Sequence, residues 1–180
     1  MRVTLVRHTS VDVPQGTCYG HTDVPVKTSF PEEAALVKSN LQAYIPFDKV
    51  YCRPLTRAVK LATYCGYPDA VRDERLMEMN MGDWEMRLYD DIEREDPAIR
   101  KWYEDYMNLA ATNGESYRLV YDRVANFLDE LRKQPYEHVA IFAHGGVLIC
   151  AGVYAGLFPE DDCFRHLTPY GGIQEFEMED

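Results

Sequence analysis

Short strand-like runs and longer stretches with helical spacing alternate along this chain. Residues 2–7 ("RVTLVR"), 48–52 ("DKVYC") and 138–143 ("HVAIFA") predict buried strands, and 173–179 ("IQEFEME") predicts a final strand at the edge of the sheet. A turn-rich segment with two prolines and two glycines follows the first strand at 11–26.

Between these runs the spacing of apolar residues predicts helices. In 114–134 apolar residues recur with a period of 3.6 on one face, which makes this the clearest helix. The polar segment 88–109 contains Pro97 and predicts two short helices. Ser29, with Glu32 three residues later, has capping-box spacing and predicts the start of the first helix. The other predicted helices cover residues 29–45, 55–65 and 145–158.

The order of these elements is typical of an α/β protein. Strands alternating with helices predict a three-layer α/β/α sandwich whose central sheet is mainly parallel, with one antiparallel edge strand. A chain of 180 residues with ordinary apolar (46%) and charged (27%) fractions is expected to form a single domain, residues 1–180.

Charge and cysteine content narrow the classes of partner. A net charge of −11 disfavours nucleic acid and anionic membranes as partners, so an anionic substrate would need a local basic cluster.

No apolar run reaches the roughly 18 residues of a spanning helix. Arg7, His8 and Asp12 interrupt any signal peptide, so a cytoplasmic location is expected. The five cysteines form no C-x-x-C pair, which favours buried free thiols over disulfides or a zinc knuckle.

Basic and imidazole side chains follow three of the predicted strands. Because the carboxyl ends of parallel strands meet at one edge of a sheet, we expect residues 7–8, 53–57 and 144–146 to lie together. Guanidinium groups match phosphate oxygens, helix N-termini add N–H donors, and glycine allows a close approach. A neutral imidazole is also a competent nucleophile toward phosphorus. The sequence therefore predicts a site for a doubly charged tetrahedral anion.

Four segments resemble, in order and spacing, the histidine phosphatase superfamily, which has the phosphoglycerate mutase-like fold. They are "LVRH" at 5–8, "PLTRA" at 54–58, "MEMNMGDWE" at 77–85 and "AHGG" at 143–146. A closer resemblance, to the α-ribazole phosphatase branch, rests on "CYGHTDVPV" at 18–26 and on "GDWEM…TNGES" further along. That branch removes the 5′-phosphate of α-ribazole phosphate during assembly of the cobalamin nucleotide loop.

The resemblance implies a role for each motif residue. His8 would attack phosphorus and become phosphohistidine, and Glu78 would protonate the departing alkoxide and then assist the attacking water. His144 would complete the catalytic set and bind phosphate together with Arg7, Arg57 and Gly145. Substrate contacts are expected from Tyr19, Gly20 and Arg53.

The same resemblance sets expectations for cofactors and partners. No metal and no cofactor is implied, since arginines take the place of a metal ion. The partner would be a small phosphorylated metabolite, and the sequence does not indicate an oligomeric state. The helical segment at about 86–113 would be an insertion that caps the site.

Three positions depart from the superfamily pattern. Thr9 stands where glycine is usual, and Ser10 is only a possible replacement for the polar residues that usually follow. Arg53 occupies a position that is commonly serine, where it would either contact phosphate or form an ion pair with a carboxylate.

Several polar and aromatic residues have two interpretations. Structural or surface roles are expected for His21, His138 and His166. Trp102, Tyr103 and Tyr106 are expected to pack, or else to stack on the flat benzimidazole of α-ribazole. The segment 113–115 is expected to cap the following helix, or else to line the rim of the site.

Four rival functions remain open. A broad-specificity metabolite phosphatase would act on small sugar phosphates, phosphoserine or nucleotides, because substrate recognition lies in loops that one sequence does not decode. A phosphoglycerate mutase would need a longer lid than 180 residues allow easily. A metal-dependent hydrolase would have to use His8, His144, Asp12 and Asp83, which show no tight ligand spacing. A catalytically inactive binding module would be expected to have lost one of the two histidines.

Overall fold

A five-stranded sheet forms the centre of the molecule, and the computed structural model describes residues 1–179. The strand order is β3-β2-β4-β1-β5, in which β5 runs antiparallel to β1 and the other neighbours are parallel. The strands are β1 Arg2–Arg7, β2 Lys49–Cys52, β3 Val71–Arg72, β4 His138–Ala143 and β5 Ile173–Glu177. The predicted sheet with its antiparallel edge strand is confirmed, while the two-residue β3 had no signal in the sequence.

Residues 1–179 contain six α-helices. They are α1 Phe30–Leu41, α2 Thr56–Tyr64, α3 Tyr89–Glu95, α4 Ala98–Glu104, α5 Tyr117–Leu131 and α6 Gly145–Tyr154. The prediction of two short helices around Pro97 is confirmed by α3 and α4. A 3₁₀ segment at Glu160–His166 was not predicted. Among residues 1–179 no helix combines the length and the apolar character needed to cross a membrane.

The two faces of the sheet bury alternate residues, which produces the three layers. Val3 and Leu5 of β1 pack with α5 and α6, whereas Val6 packs with α1 and α2 on the opposite face. In β4, Ile141 and Phe142 divide between the same two cores. Because successive side chains of a strand point to opposite faces, a fully apolar strand lies between two helical layers.

The two predicted helix starts have different outcomes. Ser29 is the N-cap residue of α1, as predicted, but its hydroxyl makes no capping hydrogen bond within residues 1–179. It donates instead to Glu33 (2.7 Å), a carboxylate that also accepts from the Ser10 hydroxyl (2.8 Å). Ser10 is therefore committed to Glu33 and is not a replacement phosphate contact. At α5 the cap is Ser116, whose hydroxyl accepts from the Leu119 N–H (3.3 Å), and not a residue of 113–115.

A third, smaller core anchors the segment that carries α3 and α4. Trp84 is fully buried there, and its Nε1 donates to Asp96 (2.9 Å) at the start of the α3–α4 break. This small core holds the segment against the loop after β1. Its buried members are Cys18, Met81, Trp84, Ile92, Ile99 and Ala111.

Candidate active site

The sheet brings the two motif histidines side by side. Arg7 pairs with Ala143 at the ends of the parallel strands β1 and β4, so the next residues are His8 and His144. Their ring centroids lie 5.1 Å apart in an edge-to-face arrangement, and both side chains are buried. Strand pairing, rather than any local sequence signal, sets this distance.

His8 is held as a neutral base. Its Nδ1 lies 2.7 Å from the Thr9 carbonyl, which can only accept, so Nδ1 carries the proton and Nε2 keeps a lone pair. Burial, followed by the positive charges of Arg57, Arg7 and Arg53, lowers the pKa of His8 to about 3. The unprotonated imidazole is the form that attacks phosphorus.

His144 is held in the opposite tautomer. The buried Arg53 donates from Nη1 to His144 Nε2 (2.9 Å), and because arginine has no acceptor, Nε2 must accept. The proton of the neutral ring is then on Nδ1, a buried atom with no hydrogen-bond partner among residues 1–179. Burial and the neighbouring His8 and arginine charges lower the pKa of His144 well below its usual value.

Three arginines converge on these rings. Arg57 donates to the carbonyls of Thr22 (2.7 Å) and Gly20 (2.6 Å), and Arg7 donates to the carbonyl of Thr168 (2.8 Å). The Nε atoms of Arg7, Arg53 and Arg57 are all buried, and each has no partner within the part of the chain that the structure describes.

The arrangement leaves several buried donors that a ligand must satisfy. A buried donor without a partner costs about 1–3 kcal/mol, and among residues 1–179 three guanidinium Nε–H groups and the Nδ1–H of His144 have no partner. A phosphoryl group matches these donors, because its oxygens accept several hydrogen bonds and carry negative charge. The local basic cluster that the acidic chain requires is therefore present.

Glu78 lies beside the histidines at the start of α6. Its Oε2 accepts from the Gly146 N–H (3.0 Å), and its Oε1 accepts from the Met79 N–H (3.0 Å). A Cβ at residue 146 would lie 2.2 Å from Glu78 Oε1, so only glycine permits this approach. Arg123 fixes the backbone of Glu78 by donating to its carbonyl (3.0 Å).

A cavity of about 500 Å³ opens above these groups. Its polar end contains Arg7, His8, Glu78, Gly145 and Gly146. Tyr19 lies near this end, 5.4 Å from the Arg57 guanidinium carbon. The rest of the lining is rich in aromatic rings, several of which contact one another, and these are Tyr89, Trp102, Tyr103, Tyr106, Tyr117 and Phe164. The cavity therefore joins an anion site to a space suited to a flat ring system.

The sequence matches the histidine phosphatase superfamily (branch 1) over residues 3–180. The chain belongs to this superfamily. A curated relative, the adenosylcobalamin/alpha-ribazole phosphatase of Salmonella typhimurium, is 33% identical over 155 residues, which cover 82% of this chain and 76% of the relative. Phosphoserine phosphatase 1 of Hydrogenobacter thermophilus is 26% identical over 146 residues, covering 78% of this chain and 69% of that protein.

Solved structures agree with this assignment. The alpha-ribazole phosphatase from Shigella flexneri superimposes with a TM-score of 0.90 at 27% identity, covering 100% of this chain and 92% of that one. The predicted superfamily, its phosphoglycerate mutase-like fold and a phosphatase activity are thereby confirmed.

Some residues expected to touch substrate have structural partners in this histidine phosphatase. Gly20 lies so close to the Met79 backbone that a Cβ would be 1.8 Å from its carbonyl oxygen, and the Gly20 carbonyl accepts from Arg57. Arg53 forms no ion pair within residues 1–179, so the ion-pair interpretation is wrong; its contacts are His144 and the His21 carbonyl (3.1 Å). Tyr19 and Gly145 do line the cavity.

The sequence interpretation missed Glu85, which organises the loop after β1. Glu85 accepts from the backbone N–H groups of Gly20 (3.0 Å) and His21 (2.7 Å) and from the Thr22 hydroxyl (2.8 Å). The carbonyls of the same loop face Arg53 and Arg57. The "GDWE" motif contains Glu85 and was the only available signal.

Tyr170 was also missed, because the loop before β5 carries no motif. Its ring lies 4.1 Å from the Arg7 guanidinium carbon and 5.6 Å from the His8 ring. Its hydroxyl lies 2.9 Å from that of Tyr19. The pair therefore lies beside Arg7 and His8.

The set His8, His144, Asp12 and Asp83 is not assembled as a metal site. Among residues 1–179 no group of three or more His, Cys, Asp or Glu side chains lies close enough to hold a metal ion. Asp83 instead accepts from Asn113 Nδ2 (3.0 Å). The five cysteines are all buried and free, as predicted.

Proposed function

We propose that this protein is a phosphomonoesterase that works through a phosphohistidine at His8, with α-ribazole 5′-phosphate as its natural substrate. The observation that carries the proposal is a neutral His8 imidazole beside three arginines and His144, whose buried donors Nε–H and Nδ1–H have no partner among residues 1–179. A phosphoryl dianion satisfies these donors and places phosphorus in front of His8 Nε2.

The first step transfers the phosphoryl group to the protein. His8 Nε2 attacks phosphorus in line, the bond between phosphorus and the ester oxygen breaks, and protonated Glu78 gives its proton to the leaving alkoxide. Arg7, Arg57 and the Nδ1–H of His144 hold the three equatorial oxygens, where the negative charge of the transition state is spread. These donors are in place before the reaction and need no reorganisation.

The second step regenerates the imidazole. A water molecule attacks the phosphorus of the phosphohistidine while Glu78 accepts a proton from that water. The N–P bond breaks, its electron pair returns to His8 Nε2, and inorganic phosphate is released. Glu78 therefore alternates between acid and base, for which its fixed position against the Gly146 N–H is suited. No step requires a metal ion, and we expect activity to survive exhaustive chelation.

The choice of substrate rests on the aromatic end of the cavity. Rings of Trp102, Tyr103 and Tyr106 line it, together with Tyr117 and Phe164. A benzimidazole is flat and apolar and would fill this space, whereas phosphoserine has no ring to place there. The name of the Salmonella relative includes alpha-ribazole phosphatase, which supports the same substrate. We also propose that the segment at about 86–113, which carries α3 and α4, forms the cap over this end.

The deciding experiment compares kcat/KM for α-ribazole 5′-phosphate with values for phosphoserine and 3-phosphoglycerate, together with product analysis. We expect free inorganic phosphate and a preference of at least about 100-fold for the ring-bearing substrate, about 2.7 kcal/mol. Isomerised phosphoglycerate without phosphate release would establish a mutase instead. No turnover on any monoester would establish an inactive module.

The cytoplasmic location of the protein stays a prediction.

A further inference from the structure

We infer that Arg53 is a positioning residue that fixes His144 in the tautomer with its proton on Nδ1, which makes His144 a donor to the phosphoryl group. The inference rests on the phosphoryl transfer proposed above for its catalytic meaning. Its structural basis is the hydrogen bond between Arg53 and His144, and the resulting tautomer of His144 can be measured in the protein without substrate.

The contacts of Arg53 are those of a positioning group. The side chain is fully buried, and its two terminal nitrogens are already used: Nη1 by His144 Nε2 (2.9 Å) and Nη2 by the His21 carbonyl (3.1 Å). Burial and the charge of Arg57 lower the pKa of Arg53 only to about 10. The guanidinium therefore stays protonated at neutral pH and donates from both nitrogens.

This geometry excludes two other states of His144. A ring with its proton on Nε2 would point an N–H at the Nη1–H of Arg53, and a doubly protonated ring would do the same. A donor facing a donor in a buried site is strongly unfavourable. The state that remains is the neutral ring with a free Nδ1–H, which has no partner within residues 1–179.

The two histidines therefore have complementary tautomers set by different partners. The Thr9 carbonyl holds the proton of His8 on Nδ1 and leaves Nε2 as a nucleophile. Arg53 holds the lone pair of His144 on Nε2 and leaves Nδ1 as a donor. With centroids 5.1 Å apart, one ring can attack the phosphoryl group while the other donates to it. Without Arg53, His144 is free to present a lone pair, which would repel a phosphoryl oxygen.

The test measures the tautomer of His144 by ¹⁵N NMR of protein labelled at histidine, with signals assigned from a His144→Gln variant. We expect the wild type to show a protonated Nδ1 and an unprotonated Nε2. Arg53→Met should shift the pattern toward a protonated Nε2 and lower kcat/KM by about 100-fold, the loss typical of one removed oxyanion donor. Arg53→Lys, which keeps a donor, should retain the wild-type tautomer and recover at least about tenfold of the lost activity.

A matched control removes a guanidinium from the far end of β1. Arg2→Met breaks an exposed ion pair with Glu175 and is expected to leave the His144 spectrum and turnover unchanged. A wild-type His144 protonated on Nε2, or an unchanged tautomer in Arg53→Met, overturns the inference. If Arg53→Met does not fold, the inference is tested by the wild-type and Arg53→Lys spectra, both of which should show His144 protonated on Nδ1. A wild type with the expected tautomer and no turnover would contradict the proposed function while leaving the tautomer assignment intact.

Discussion

The two ends of the cavity are built in different ways. The floor consists of Arg7 and His8, which line the cavity, and of Arg53, Arg57 and His144, which are buried beside them. It is charged and is held mainly by backbone carbonyls and by side chains of the floor itself. The wall is aromatic and is contributed by α3, α4, the turn after α4, α5 and the 3₁₀ segment before β5; its residues are Tyr89, Trp102, Tyr103, Tyr106, Tyr117 and Phe164.

This difference predicts different roles for the two regions: the floor would carry out phosphoryl transfer, and the wall would select the substrate. In the proposed reaction, Arg7, His8, Arg57 and His144 act on the phosphoryl group itself and Arg53 acts on it through His144, so the floor would serve any phosphoryl ester. In the same proposal, groups on the wall would contact only the part of the substrate to which the phosphate is attached. Changes on the floor should therefore affect all substrates, whereas changes on the wall should affect only substrates that carry a ring.

The largest effect is expected from His8→Ala. Removing the nucleophile should lower turnover by about 10⁴-fold or more on every monoester, with or without a ring. Rapid mixing of wild type with a ³²P-labelled monoester should trap acid-labile phosphate on the protein, and the variant should trap none. As a control, His166→Ala removes a partly exposed imidazole stacked on Phe158 and should retain full activity. Trapped phosphate in His8→Ala would place the nucleophile elsewhere.

A smaller loss that depends on the leaving group is expected from Glu78→Gln. Turnover of α-ribazole phosphate should fall by about 10²–10³-fold, because its alkoxide needs a proton as it departs. Turnover of p-nitrophenyl phosphate should fall by less than about tenfold, because its leaving group is stable without protonation. An equal loss on both substrates would show that Glu78 is not the acid.

The third prediction concerns acid stability and applies to the floor alone. The folded pKa of His8 is about 3, below its unfolded value of 6.5, so between these limits the unfolded chain binds a proton that the folded protein does not. Stability should thus fall as pH falls through this window. From pH 7 to pH 5 the contribution is about 2 kcal/mol.

Urea unfolding at the two pH values measures this contribution. The loss on acidification should be about 2 kcal/mol smaller in His8→Asn than in wild type. The wall variant Tyr103→Ala should keep the wild-type loss, because it removes no group that titrates in this range. Equal acid losses in wild type and His8→Asn would show that burial does not keep the His8 ring neutral.

The smallest effect is expected from the wall. Tyr103 is 43% exposed at the rim, and Tyr103→Ala should raise KM for α-ribazole phosphate about fivefold, near 1 kcal/mol, with kcat little changed. KM for phosphoserine should not change. Tyr64→Ala removes a similarly exposed ring (39%) that packs on Phe30 instead, and should alter neither KM. An equal rise in KM for phosphoserine would mean that the wall does not select substrates that carry a ring.

Local patterns predicted the strands and the residues at their ends. Apolar runs at 2–7 and 138–143 identified β1 and β4, and parallel pairing then required His8 and His144 to meet. The same reasoning predicted that Arg57 would join them. These predictions succeeded because residue type, position at a strand end and parallel pairing are all readable along the chain.

The tertiary structure alone decided how those residues are held. Arg53 and His144 are 91 residues apart in the sequence, and Glu85 holds a loop more than sixty residues before it. Neither contact follows from spacing or periodicity. The wall likewise depends on how α4, α5 and the 3₁₀ segment pack, so no single segment shows which rings face the cavity. Short-range patterning thus determined the strands, the helices and the place of the candidate residues at the strand ends, whereas long-range packing decided the tautomers of the two histidines, which buried donors have no partner among residues 1–179, and the shape of the cavity.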